Sequence, residues 1–152
     1  MAIDCEKCSL VNGEYGPNSC GHKYKPMPYH GIKAKKSKDK TRWAYPSYVE
    51  YFVFNLADEH GECISPEGVE DKRWVDDDGK GLYSLVNDCK EILGKNNEER
   101  LAYFPNPMNE TDPWHGYPVN GADIGDDLIE YWHNKKIISD STYLRLSRHQ
   151  GI

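Results

Sequence analysis

Three cysteines and a histidine fall within nineteen residues near the start of the chain, in DCEKCSLVNGEYGPNSCGH (4–22). Cys5 and Cys8 have C-x-x-C spacing, which lets two thiolates converge on one cation in a tight turn. Zinc takes four such soft or borderline ligands as a tetrahedron, and Cys20 and His22 complete the set. His30, Cys63 and Cys89 are alternatives for the fourth ligand. Asn12-Gly13, Gly16-Pro17 and Asn18 form turns between the ligands. A turn-rich segment without a core of its own gains its fold from the metal. Unliganded cysteines in a loop compete with this reading. A redox C-x-x-C fits less well, because no apolar strand precedes Cys5.

A second chemistry-bearing stretch is YFPNPMNETDPWHGYPVNG (103–121). Pro105, Pro107, Pro113 and Pro118 predict irregular backbone that carries Phe104, Trp114, His115 and Tyr117. Long ring-bearing loops often recognise partners, so these four residues form a candidate partner-binding surface, with His115 also a candidate acid or base. The competing reading is a strap whose rings cover the core. Lys33, Lys35, Lys36, Lys38, Lys40 and Arg42 form a basic block beside Trp43, Tyr45 and Tyr48. A solvated loop explains the block; contact with phosphates is the functional alternative. Asp76, Asp77 and Asp78 do not make a calcium loop, because Lys80 stands fifth and Asn87 where a bidentate Glu belongs. They read as a turn that begins a helix.

The elements that must hold these residues follow from periodicity. Residues 46–60 suit a strand over 48–55 by their aromatic and β-branched content, although Val49, Phe52, Val53 and Leu56 also fit a helical face. Residues 82–93 carry an apolar stripe ended by Gly94 and predict a helix with Cys89 buried in it. A short helix is expected over 98–103, and short strands around Cys63-Ile64 and Trp74-Val75. The C-terminus predicts two helices over 123–150: Asp123 caps the first, Leu128, Ile129 and Trp132 face inward, and Ser139 caps the second. The fold class is α+β, with a small antiparallel sheet in the N-terminal half, helices in the C-terminal half and a zinc-knuckle-like start. Residues 1–152 read as one domain, with 1–30 as its metal-stapled module.

Composition narrows the function. The formal net charge is −6 and charged residues make up 29%, which works against a nucleic-acid binder of the whole-surface kind. Hydrophobic residues are 38%, and eleven Tyr and four Trp dominate the rings, so many rings should lie where core meets water. The first residues lack the cationic start and apolar run of a secretory signal. With an odd count of five cysteines, this favours reduced thiols and the cytoplasm over a disulfide framework. The expected function is binding of another, basic protein, as an inhibitor or immunity-type antagonist, with a structural zinc. The alternatives are a hydrolase or nuclease using His30, His60 and His115 on phosphate-containing substrates, and a nucleic-acid binder using 33–42. The phosphate-cradling Gly-rich loop, H-E-x-x-H and G-x-S-x-G are all missing.

Overall fold

The computed structural model describes residues 10–36, 40–59, 73–96 and 98–148. Helix α1 (Ser47–Asp58) comes first, then β1 (Gly81–Leu85), β2 (Leu101–Pro105) and β3 (Tyr117–Val119). A 3-10 turn at Gly121–Asp123, α2 (Asp126–Asn134) and α3 (Asp140–Ser147) follow. The sheet is antiparallel in the order β1-β2-β3. The class is α+β, and the sheet is drawn from 81–119 rather than from the first half.

Residues 47–58 are helical, not the strand expected over 48–55. Val49, Val53 and Ala57 recur every four residues and are buried, and Phe54 joins them. β-Branched residues cost a helix only tenths of a kcal/mol each, roughly 0.5 at most, and burial of one such face outweighs that. The opposite correction applies to 82–93. Gly81–Leu85 is a strand buried along its whole length, so its apolar residues fall on both faces and carry no helical meaning. After it, Asn87, Asp88 and Cys89 all have positive φ, of 50°, 57° and 59°, which ends any right-handed helix. That left-handed turn is held by α3: the Asp88 carboxylate accepts from Ser139 N at 2.8 Å, and its carbonyl accepts from Thr142 at 3.4 Å. Cys89 is buried as expected, and burial pushes its thiol up to about 12. The expected helix over 98–103 is instead the start of β2.

One sheet face packs on α1. Leu82, Ser84, Ala102 and Phe104 point there, Ser84 Oγ donates to Val53 O at 2.7 Å, and the Phe54 and Phe104 rings meet edge-on at 5.4 Å. Tyr24, Trp43 and Trp114 complete this ring-rich core, all under 7% exposed. The N-terminal segment therefore has core residues of its own. Tyr15 and Tyr24 are buried, and Lys25 N donates to Trp114 O while Trp114 N donates to Lys23 O, both at 2.7 Å. The C-terminal helices form as expected, with Leu128, Ile129 and Trp132 buried and Ser139 capping α3 through Thr142 N. Asp123 does not cap α2, whose cap residue is Gly125. Leu144 is exposed, while Tyr143 stacks on His133 at 4.1 Å. Among the described residues no helix is long and apolar enough to cross a membrane.

Candidate functional site: a tyrosine-floored acidic cleft and a Cys–His–Asp corner

The sheet face turned away from α1 carries a row of phenols. Tyr83, Tyr103 and Tyr117 are directly paired across the three strands, so the pleat puts all three on one side. Their ring centroids are 4.7 and 6.1 Å apart. Gly81 makes the row possible. A Cβ there would lie 2.7 Å from the Tyr103 hydroxyl, which crosses over the glycine to donate to Asp76 Oδ2 at 3.0 Å. Burial raises the Tyr83 phenol to about 12, helped by Asp123, Asp76 and Asp78. Tyr103 and Tyr117 are raised too, chiefly by burial, and the Asp76 hydrogen bond adds to the shift at Tyr103.

This row floors a cleft of about 1300 Å³. The turn before β1 contributes Asp76, Asp77 and Asp78, the 3-10 turn contributes Asp123, and the start of α2 contributes Asp126 and Asp127. Glu98 and Glu99, just before β2, line the cleft too. Among the described residues, eight carboxylates thus line the cleft with two ammonium groups, Lys40 and Lys80. The ion pairs from His22 and Arg73 to Asp58, and from His133 to Asp140, lie outside the cleft. The triple aspartate does serve a helix start, but the one fifty residues on. Asp77 accepts from Asp127 N and Leu128 N, both at 3.1 Å. Gly125 leaves room for it, since a Cβ there would be 2.1 Å from Asp77 Oδ2.

His30 and His115 enter the same cleft. His30 is held by its Nδ1 against Thr41 O at 2.6 Å and stacks on Tyr117 at 4.9 Å. Burial lowers the pKa of both histidines, and Lys40 and His115 lower His30 further against the pull of the Thr41 carbonyl. Both are neutral bases at pH 7. His115 Nδ1 and Glu99 Oε1 are buried with no hydrogen-bond partner among the described residues, and both residues line the cleft. His60 lies outside the described residues.

No protein-family model, curated protein or solved structure matches the chain. The site is therefore read from its own chemistry. Of the ring-bearing residues expected at a partner surface, Phe104 is 0% and Trp114 is 6% exposed. They fill the core against Phe54 and Tyr24 and are not available as surface anchors. His115 and Tyr117 do reach the cleft. Tyr83 and Tyr103 were missed because their segments read as helices; alternation in LAYFP (101–105) was the available signal.

A second constellation sits where the N-terminal loop meets the end of α1. Cys20, His22 and Asp58 present ligand atoms all within 4.8 Å of one another, a group that could hold a metal ion. Asp58 is fully buried. Its Oδ2 accepts from Asn18 Nδ2 at 2.8 Å and lies 2.7 Å from His22 Nδ1, while Arg73 binds Oδ1. Cys20 Sγ is 3.4 Å from the Asp58 carbonyl, and Cys20 is disulfide-bonded rather than the reduced thiol expected from the sequence. Glu59 binds Ser19 through both its backbone N–H and its hydroxyl. Cys5, Cys8 and Cys63 lie outside the described residues. His30 and Cys89 are not part of the group: His30 is tied to Thr41 and Cys89 is a core residue.

Proposed function

We propose that this protein binds a cationic segment of another protein in the tyrosine-floored cleft, in the manner of an inhibitor or immunity-type antagonist of a basic target. The observation that carries this reading is the in-register row Tyr83–Tyr103–Tyr117 ringed by eight carboxylates. Ring faces and carboxylates both attract ammonium and guanidinium groups, each ring contact contributing about 0.5–2 kcal/mol. An excess of one sign in a cleft also steers oppositely charged partners to it. The same excess repels phosphate, so it works against nucleic acid on the row and against a phosphate-ester substrate. A lysine- and arginine-rich peptide, followed by fluorescence anisotropy, tests the reading. It should bind at low salt, weaken steeply with added salt, and bind at least tenfold worse to Tyr117→Ala. An acidic peptide of equal length should not bind. Equal binding of both peptides, or indifference to Tyr117→Ala, would refute the cleft as the site.

A second reading is favoured by one observation, the presence of His30 and His115 in the same cleft, near enough that His115 lowers the pKa of His30. Two neutral imidazoles and a carboxylate can take and return a proton, so the cleft suits hydrolysis of a cationic substrate. Turnover of a lysine or arginine ester, lost in both His30→Gln and His115→Gln while peptide binding persists, would support it.

For the corner at Cys20, His22 and Asp58, we propose zinc as the metal. With Cys20 reduced, thiolate, imidazole and carboxylate together are a donor set zinc accepts, and one ligand position stays available to a further donor. That form of the site needs the reduced Cys20 that a reducing compartment maintains, so the cytoplasm is proposed as the location of the zinc-bound form.

A further inference from the structure

The corner at the end of α1 holds a sulfur that cannot serve two chemistries at once. We propose that zinc and the Cys20 disulfide are alternative closures of this corner, so that the metal site forms only when Cys20 is reduced. The proposal rests on the zinc reading above and adds its control.

Three features of the corner support it. The ligand atoms lie within 4.8 Å of one another, and the edges of a zinc tetrahedron built from sulfur, nitrogen and oxygen run about 3.3–3.8 Å. Small side-chain movements therefore close the set. His22 and Asp58 already share a hydrogen bond at 2.7 Å, and a metal inserted there displaces its proton to solvent. Charge then decides the role of Cys20. A divalent ion beside Asp58 and Arg73 leaves a net charge of two in a place where Asp58 is fully buried. A Cys20 thiolate removes one of these, and Glu59, tied to Ser19 next door, offsets the other. A disulfide sulfur carries no charge and binds zinc poorly, so the oxidised corner does not compensate the ion.

The chemistry balances with a dithiol as co-reactant. The dithiol supplies two electrons and two protons, the Cys20 sulfur–sulfur bond breaks to two thiols, and the dithiol closes to its own disulfide. The Cys20 thiol then loses its proton to water as the metal binds. The loop that changes state also carries Asn18 and Ser19, which bind Asn55, Asp58 and Glu59, so the switch acts on the end of α1.

The test uses the full chain stripped of metal and cobalt(II) as a spectroscopic stand-in for zinc, with zinc affinity from competition against a chromophoric chelator. Dithiol-reduced protein should bind one equivalent with a sulfur-to-cobalt charge-transfer band, and oxidised protein should bind at least tenfold more weakly without that band. Cys20→Ser and His22→Ala, checked for folding by circular dichroism, should each weaken zinc binding by the reduced protein at least tenfold. Equal binding by oxidised and reduced protein would overturn the control while leaving zinc in place. Absence of binding by the reduced protein would overturn zinc itself. An undiminished cobalt band in Cys20→Ser would show that the sulfur is another one and overturn the assignment to this corner.

Discussion

The corner at Asp58 and the cleft over the tyrosine row handle charge in opposite ways. In the corner, one buried carboxylate is met by Arg73 and by hydrogen bonds with His22 and Asn18, so its charge is matched within hydrogen-bond reach. In the cleft, acids gather from three parts of the chain and face two lysines, one of them drawn over the Tyr29 ring at 4.0 Å. Charges that are matched inside a protein hold it together; charges left in excess at an open surface are matched by something else. The two regions lie on one chain of net charge −6, so total charge alone could not have distinguished them.

Removing the carboxylate of the corner should give the largest effect. Asp58→Ala leaves Arg73 without its counterion and His22 without its hydrogen-bond partner, and unfolding in urea should show a loss of about 3–4 kcal/mol. A loss below 1 kcal/mol would mean that the corner does not hold the loop to α1.

Next in size is a pH effect from a buried carboxyl belonging to neither region. Burial raises Glu50 from 4.5 to about 8, opposed by the hydrogen bond it accepts from Tyr24 at 2.8 Å. The folded state therefore holds a proton that the unfolded state releases above pH 4.5. Stability should fall by about 3 kcal/mol as pH rises from 5 to 8, and Glu50→Gln should flatten that slope. A slope unchanged in Glu50→Gln would assign it elsewhere, to the cleft acids in particular.

The cleft should respond in binding rather than in stability. Asp78→Asn with Asp123→Asn should leave the urea midpoint nearly unchanged, within about 0.5 kcal/mol, because both residues are exposed. The same pair should weaken a cationic peptide by about tenfold through lost attraction. If stability dropped and binding did not, the contrast between the two regions would be reversed. The smallest effect belongs to Tyr103→Phe. It removes one hydrogen bond to Asp76 and keeps the ring, so stability should fall by about 1 kcal/mol and peptide affinity by less than threefold.

The C-terminal helix pair was legible because its signals are local: an apolar stripe in Leu128, Ile129 and Trp132, and a serine cap at Ser139. Residues 47–58 offered two periods at once, and only the burial of Val49, Val53 and Ala57 against the sheet decides between them. Residues 82–89 misled for the converse reason, since a strand buried on both faces has no period to read. The same non-locality hid the sites. Asp58 meets His22 across thirty-six residues, and Tyr83 meets Tyr103 only once β1 and β2 are paired. The proline-rich stretch showed that rings were concentrated there but not which of them would be enclosed, and Gly116 decides much of that. A Cβ at Gly116 would lie 2.1 Å from the Phe104 ring, so the chain presses close and seals Phe104 beneath it.

The reach of Asp77 across Gly125 has a mechanical meaning. This single carboxylate belongs to one bank of the cleft and holds the opening turn of the helix on the other, through the amides of Asp127 and Leu128. The banks cannot spread without uncapping that helix. Deuterium uptake at those two amides is therefore a gauge, built into the backbone, of how far apart an occupant pushes them.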